Sequence, residues 1–159
     1  YRHFKDREAL MAAVAGEGYA KFADMLEQAW NDGAPDAIAA LERVGSAYLA
    51  FAREEPALYA AMFESSVALG TDSTLKSAAD RAYDVLQTAC DRIHESLPVD
   101  RRAPARMMAL HIWSMAHGIA SLFARGDAGR RPLPVPPEDL LEAGLLIYLS
   151  GLGHEPSAD

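Results

Sequence analysis

The chain has 159 residues, half of them hydrophobic and 24% charged, a composition typical of one packed globular domain. Its formal net charge of −8 argues against nucleic-acid binding by the body of the chain, because polyanion binding needs clustered cations. The single cysteine excludes an internal disulfide, and the sequence shows no secretory leader and no apolar run long enough to span a membrane. We therefore expect a cytoplasmic protein without a membrane segment.

Helix is the only secondary structure that the spacing of apolar residues predicts, so we expect an all-α fold of about six helices. The predicted helices cover residues 5–30, 35–53, 56–67, 73–97, 102–125 and 137–150. Asn31-Asp32-Gly33 ends the first helix, and Glu54-Glu55-Pro56 separates the second from the third. Residues 126–137 are rich in glycine and proline and predict a loop, and the tail after residue 150 is polar.

Two glycines interrupt the first predicted helix. Gly16 and Gly18 each cost about 1 kcal/mol relative to alanine in a helix interior. We therefore expect the helix to bend most easily at this place.

Neither a metal site nor an active site is indicated. Only Asp91 and His94 share the three-residue spacing of helical metal ligands, whereas His111 and His117 point in different directions. The sequence has no nucleophile elbow and no glycine-rich phosphate loop, and Cys90 falls on an apolar helix face where a thiol is inert. We predict no metal, no cofactor and no enzymatic activity, and we expect His94 and His154 to be solvated.

Large aromatic and methionine side chains recur on several helices. They suit a pocket that accepts an apolar ligand, with tyrosine and histidine groups to orient it. They also suit an ordinary core, and the sequence does not separate the two interpretations. The candidate ligand-binding residues are Phe22, Met25, Tyr48, Phe51, Tyr59, Met62, Phe63, Tyr83, Met108, His111 and Met115.

The last two predicted helices have the pattern of a dimer interface. The final helix is apolar over more than half of its circumference, so it needs partners on two sides. The preceding helix carries small residues that permit close approach. We predict a two-fold dimer through a four-helix bundle, with burial inside one subunit as the alternative. The candidate interface residues are Trp113, His117, Gly118, Ser121, Leu141, Gly144, Leu145 and Tyr148.

Three segments resemble the tetracycline-repressor (TetR) family of transcription regulators. The string from Tyr1 to Leu10, YRHFKDREAL, is similar to the family's junction between recognition helix and connecting helix, with Arg7 where lysine is commoner. Segments 56–63 and 113–122 resemble the family's C-terminal ligand domain of the Trp-His-Gly type.

This resemblance implies a bacterial one-component regulator that acts as a homodimer. Residues 1–7 would end a DNA-binding domain that otherwise precedes this chain, residues 8–153 would bind ligand and dimerise, and residues 154–159 would form a tail. Operator DNA would be contacted by Tyr1, Arg2, His3 and Arg7, which form a dense polar and basic cluster. A small lipophilic or aromatic effector would release a repressor from its operator. The alternative is a helical protein–protein interaction module without a ligand.

Overall fold

A computed structural model describes residues 2–63, 73–124 and 134–153, and within these ranges the chain is helical and contains no strand. The predicted all-α fold is therefore confirmed. The helices of the described ranges are α1 (Arg2–Trp30), α2 (Ala37–Glu54), α3 (Pro56–Phe63), α4 (Ser73–Ser96), α5 (Ala105–Ala124) and α6 (Pro137–Gly151), with a tight turn at Asn31–Gly33 and a short 3₁₀ helix at Val99–Arg101. The predicted third helix beyond residue 63, most of the 126–137 loop, and the 154–159 tail with His154 lie outside the described residues.

The helix ends follow from local backbone chemistry. Asn31, Asp32 and Gly33 all have positive φ, a left-handed conformation that ends α1 at the predicted residue. Asp36 caps α2, since its side-chain oxygen accepts hydrogen bonds from the backbone N–H groups of Ile38 and Ala39 at 3.0 and 2.9 Å. In α6, Pro137 begins the helix, and its first turn carries the acidic Glu138 and Asp139.

Helix α1 lies at the centre of the packing and contacts α2, α3 and α4. Helix α5 packs on α2 and α4, and α6 covers α2 and α5. The buried residues of α1 begin at Ala15, whereas the side chains of residues 5–10 are exposed. The first turns of α1 therefore lie outside the core that its second half helps to build.

Helix α1 runs through Gly16 and Gly18 without interruption. A Cβ atom added at Gly18 would lie 2.7 Å from the sulfur of Met62 and 3.3 Å from the Cβ of Leu58, both on α3. A Cβ added at Gly16 would meet nothing within 4 Å. Gly18 thus permits the close approach of α3, and Gly16 has no such packing role.

Arginine side chains hold the C-terminal end of α1. The Nε of Arg43 donates to the Ala29 carbonyl at 3.0 Å. Arg92 donates to the carbonyl and the carboxylate of Asp32 at 2.6 and 2.8 Å, and its guanidinium lies 5.3 Å from the Trp30 ring centre. These contacts join the end of α1 to α2 and α4.

His94 was expected to be solvated, and that prediction is wrong. The structure places it half-buried, with Nδ1 2.8 Å from the Ala103 carbonyl oxygen. The bond connects α4 to the segment that precedes α5, a tertiary contact that helical periodicity does not reveal.

Candidate ligand-binding cavity

A cavity of about 240 Å³ lies among α1, α2, α4, α5 and α6, with Phe63 of α3 also in its wall. Most of its lining side chains are aliphatic or aromatic. They are Tyr19, Phe22, Leu26, Leu41, Val44, Gly45, Tyr48, Phe63, Ala79, Asp80, Ala82, Tyr83, Leu86, Ile112, Trp113, Ala116, Leu141 and Leu145. A cavity of this shape and chemistry is the usual form of a small-molecule site.

The aromatic rings of the wall hold one another in fixed orientations. The rings of Phe22 and Tyr48 meet edge to face with centres 5.2 Å apart. Trp113 lies 6.3 Å from Phe63 and 6.2 Å from Tyr83, measured between ring centres. Such pairs add stability beyond their buried area, so this part of the wall is pre-organised.

A hydrogen-bonded cluster of Tyr48, Tyr59 and His117 stands at one side of the cavity. The Tyr48 hydroxyl lies 3.1 Å from the Tyr59 hydroxyl and 3.2 Å from His117 Nδ1, and Tyr59 lies 2.7 Å from the same nitrogen. Burial raises the pKa of Tyr48 far above its usual range, so its hydroxyl stays protonated. The cluster joins α2, α3 and α5.

Three other polar side chains of the wall have partners of their own. The Tyr19 hydroxyl donates to the Met62 carbonyl at 3.2 Å. The Tyr83 hydroxyl lies 3.4 Å from Gln87 Oε1, a long bond at a half-buried position. Asp80 forms an ion pair with Lys76 at 2.8 Å on the exposed side of α4 and is the one charged residue among the described lining.

Four of the predicted ligand-binding residues line this cavity: Phe22, Tyr48, Phe63 and Tyr83. Tyr59 lies one hydrogen bond behind Tyr48. Whether any of these residues contacts a ligand stays a prediction.

The other six predicted ligand-binding residues lie outside the lining set. Phe51 and Met108 are fully buried in the core, and Met25 is half-buried against it. Met62 packs over Gly18, and Met115 packs against Gly144, where an added Cβ atom would lie 2.5 Å from the Met115 sulfur. His111 Nδ1 lies 3.0 Å from the Tyr148 hydroxyl.

Sequence reasoning missed most of the aliphatic wall and the small residues that open it. Ala79, Ala82 and Ala116 leave space between helices, and a Cβ at Gly45 would lie 2.9 Å from Leu141 Cδ2. A glycine and several alanines on facing helices are the only sequence signal, and close helix packing produces the same signal. The missed residues are Tyr19, Leu26, Leu41, Val44, Gly45, Ala79, Asp80, Ala82, Leu86, Ile112 and Ala116.

The predicted dimer residues occupy several different environments. Leu141 and Leu145 are buried in their own subunit and line the cavity together with Trp113, which is 37% exposed. Four others are half-buried: His117, Ser121, Gly144 and Tyr148. Gly118 is exposed, and a Cβ there would meet nothing within 4 Å.

Large apolar side chains are exposed along α5 and α6. They are Met107, Leu110, Trp113 and Leu122 of α5, and Leu140, Leu146 and Ile147 of α6. We call this set the α5–α6 apolar face. Contiguous apolar patches on a protein surface mark interaction sites.

The predicted DNA-contacting residues fall at the start of α1. His3 and Arg7 are exposed there. Arg2 is the first residue of the helix, and Tyr1 lies outside the described residues.

The described residues lack two other kinds of feature. They contain no cluster of three histidine, cysteine or acidic side chains placed to hold a metal ion. None of their helices combines the length and hydropathy needed to cross a membrane.

Comparison with known proteins identifies the family of this fold. The profile of the tetracyclin repressor-like C-terminal domain matches residues 41–147, from α2 to α6, so the chain belongs to this family. The Trp-His-Gly subtype stays a prediction. No curated protein sequence matches the chain significantly.

Two solved structures share the fold over nearly the whole chain. A protein of unknown function from Rhodococcus sp. RHA1 superposes with a TM-score of 0.78 at 26% identity, covering 97% of this chain and 77% of that one. SCO4313, to which a regulatory role has been ascribed, gives a TM-score of 0.64 at 26% identity, covering 94% of this chain and 77% of its own.

Proposed function

We propose that this chain is the effector-binding domain of a TetR-family transcriptional regulator, and that a small lipophilic or aromatic molecule binds its cavity. The observation that carries the proposal is the aromatic cavity lined by α1, α2, α4, α5 and α6. The fold supports a regulator, and the apolar wall supports a ligand that gains affinity from burial of apolar surface.

The proposed regulator is a repressor that acts as a cytoplasmic homodimer in a bacterium. The α5–α6 apolar face supports dimerisation, because a two-fold axis would pair these two helices with their copies in a four-helix bundle. Trp113 and Gly118 are the predicted interface residues that are exposed there. Operator DNA would be bound by a preceding domain, with His3 and Arg7 at its junction with α1.

Helix α1 is the proposed connection between effector and operator. Its exposed residues 5–10 lead to the proposed DNA contacts, while Tyr19, Phe22 and Leu26 stand in the cavity wall. A ligand that favours one orientation of α1 would change the separation of the two DNA-binding domains, which must be about 34 Å to match successive major grooves. Operator affinity would then fall by the ratio of the ligand's affinities for the two conformers.

A thermal-unfolding screen with small apolar compounds tests the ligand. A compound at 100 times its dissociation constant adds about 2.7 kcal/mol to stability. Ala116→Phe or Ala79→Leu places new atoms in the cavity and should abolish the shift. Ser114→Phe adds the same phenyl group to the exposed side of α5 and should leave the shift intact.

The outcome separates the two candidate functions. Stabilisation that both cavity substitutions remove supports the effector-binding domain. If no compound stabilises the chain, or if Ala116→Phe leaves every shift unchanged, the interaction module without a ligand replaces it.

A further inference from the structure

We infer that the cavity selects a lipophilic organic cation, such as an aryl-substituted quaternary ammonium, over a neutral molecule of the same shape. This inference rests on the proposed function and adds to it the charge of the ligand. It follows from three features of the described cavity: its aromatic content, its charge and the ion pair at its rim.

The first feature is the number of aromatic side chains around one small space. Six of the lining residues are aromatic, and they come from α1, α2, α3, α4 and α5: Tyr19, Phe22, Tyr48, Phe63, Tyr83 and Trp113. The face of an aromatic ring attracts a cation within about 6 Å of its centre, by about 0.5–2 kcal/mol depending on desolvation. Several rings around one cavity let a bulky cation contact more than one of them.

The second feature is the sign of the charge. Asp80 is the one charged residue among the described lining, and no lysine, arginine or histidine belongs to that set. An anion would therefore meet no cationic side chain among these described residues, and burying an anion without one costs several kcal/mol. A cation would gain from the Asp80 carboxylate and, at longer range, from the net charge of −8 on the chain.

The third feature is that the Asp80 carboxylate is easily made available. Its partner Lys76 lies four residues earlier on α4, and both side chains are more than half exposed. Exposed pairs of this spacing are worth about 0.3–0.5 kcal/mol, so a bound cation can replace Lys76 at small cost. Asp80 thus places a carboxylate where the cavity meets the surface.

A pair of isosteric probes tests this directly. Benzyltrimethylammonium and neopentylbenzene have the same shape and differ in charge, because a quaternary nitrogen in the first replaces a quaternary carbon in the second. Their dissociation constants are measured by titration calorimetry on the wild-type chain. We expect the cation to bind at least tenfold more tightly, and the difference to shrink as salt is added.

Two matched substitutions on α4 locate the charge effect. Asp80→Asn should remove most of the preference for the cation and leave the affinity for neopentylbenzene unchanged. Asp84→Asn removes an exposed charge one turn further along α4, outside the lining, and should preserve the preference. Trp113→Leu should weaken binding of the cation more than binding of its neutral isostere, since the substitution removes one aromatic face.

The outcomes distinguish this inference from the proposed function. Equal affinities, or tighter binding of neopentylbenzene, overturn the inference while the apolar effector site stands. A preference that Asp80→Asn and Asp84→Asn reduce equally also overturns it, because the charge effect then lies outside the cavity. If neither probe binds, the inference fails, and the thermal-unfolding screen decides separately whether the effector site stands.

Discussion

At the scale of single residues, the Tyr48 hydroxyl links the cavity wall to two other helices. It stands within hydrogen-bond distance of Tyr59 on α3 and His117 on α5. Tyr48 and Tyr59 are both buried, so removal of the Tyr48 hydroxyl takes a hydrogen bond from a site with little access to water, and such losses cost about 1–3 kcal/mol. The position of Tyr48 in the apolar wall therefore depends on the polar contacts of its hydroxyl.

Replacing Tyr48 by phenylalanine should lower the free energy of unfolding by about 1–2 kcal/mol. Together with Tyr59→Phe in a double-mutant cycle, it should show a coupling energy of about 0.5–2 kcal/mol in urea unfolding. Tyr83→Phe is the control, because its hydroxyl has a long 3.4 Å contact at a half-buried position. Equal losses for Tyr48→Phe and Tyr83→Phe would show that the cluster does not stabilise the fold.

Replacement by alanine should affect the free energy of unfolding differently at the two glycines of α1. Gly16→Ala should raise the free energy of unfolding by about 0.5–1 kcal/mol, because alanine is the better helix former and the new methyl meets open space. Gly18→Ala should be at least about 1 kcal/mol less stable than Gly16→Ala, because its methyl meets Met62 and Leu58. Thermal unfolding of both variants measures this, and equal stabilities would contradict it.

The first of these variants also tests α1 as the proposed connection to DNA. Gly16→Ala stiffens α1 without disturbing its contact with α3, so it should reduce effector-dependent operator release. Unchanged release in this variant, measured by fluorescence anisotropy on an operator with the proposed DNA-binding domain attached, would show that bending at Gly16 plays no part.

Residue periodicity predicted which faces are buried but not where packing leaves a gap. Met108 and Ile112 lie one turn apart on the same side of α5; Met108 was predicted to bind ligand and is core, while Ile112 was missed and lines the cavity. The gap is lined by Ala79 and Ala82 of α4 and by Ala116 of α5, so it is a property of two segments together. No single segment carries that information.

At the scale of elements, the helix boundaries were predictable within a few residues. Positive-φ residues, a cap at Asp36 and prolines at helix starts are local signals that act without tertiary contacts. What joins the helices was not predictable, since ion pairs such as Arg53 with Glu138 depend on how α2 and α6 cross.

Two glutamates on neighbouring helices should contribute to the free energy of unfolding with opposite sign at neutral pH. Arg53 lowers the pKa of Glu138, so this carboxylate stabilises the fold at neutral pH and loses its effect as the pH falls through that lowered value. Burial, with Glu142 and Asp36 nearby, raises the pKa of Glu42, so its charge opposes folding at neutral pH.

Accordingly, Glu138→Gln should lower the free energy of unfolding at neutral pH and Glu42→Gln should raise it, each by a few tenths of a kcal/mol because both sites are partly exposed. Both differences should vanish at acidic pH, where the carboxyl groups are protonated in wild type. Urea unfolding at the two pH values measures this. Changes of the same sign at neutral pH would contradict the assigned environments.

At the scale of the whole molecule, the α5–α6 apolar face predicts self-association. Ile147 is 73% exposed on this face, so Ile147→Glu should place a charge in the proposed dimer interface and dissociate it. Leu10→Glu makes the same change at a side chain 64% exposed on α1 and should leave the dimer intact. Sedimentation velocity separates the two, and a wild-type chain that is monomeric throughout would refute the dimer.

The fluorescence of the two tryptophans reports most directly on whether a small molecule binds among the helices. Trp113 lines the cavity, whereas Trp30 is buried near Arg92 and outside that lining. In a Trp30→Phe variant, the apolar quencher 1,4-dibromobenzene should reduce Trp113 emission to a saturating limit. In Trp113→Phe the remaining Trp30 emission should stay constant. Equal quenching in both variants, or none in either, would contradict a ligand site in this cavity.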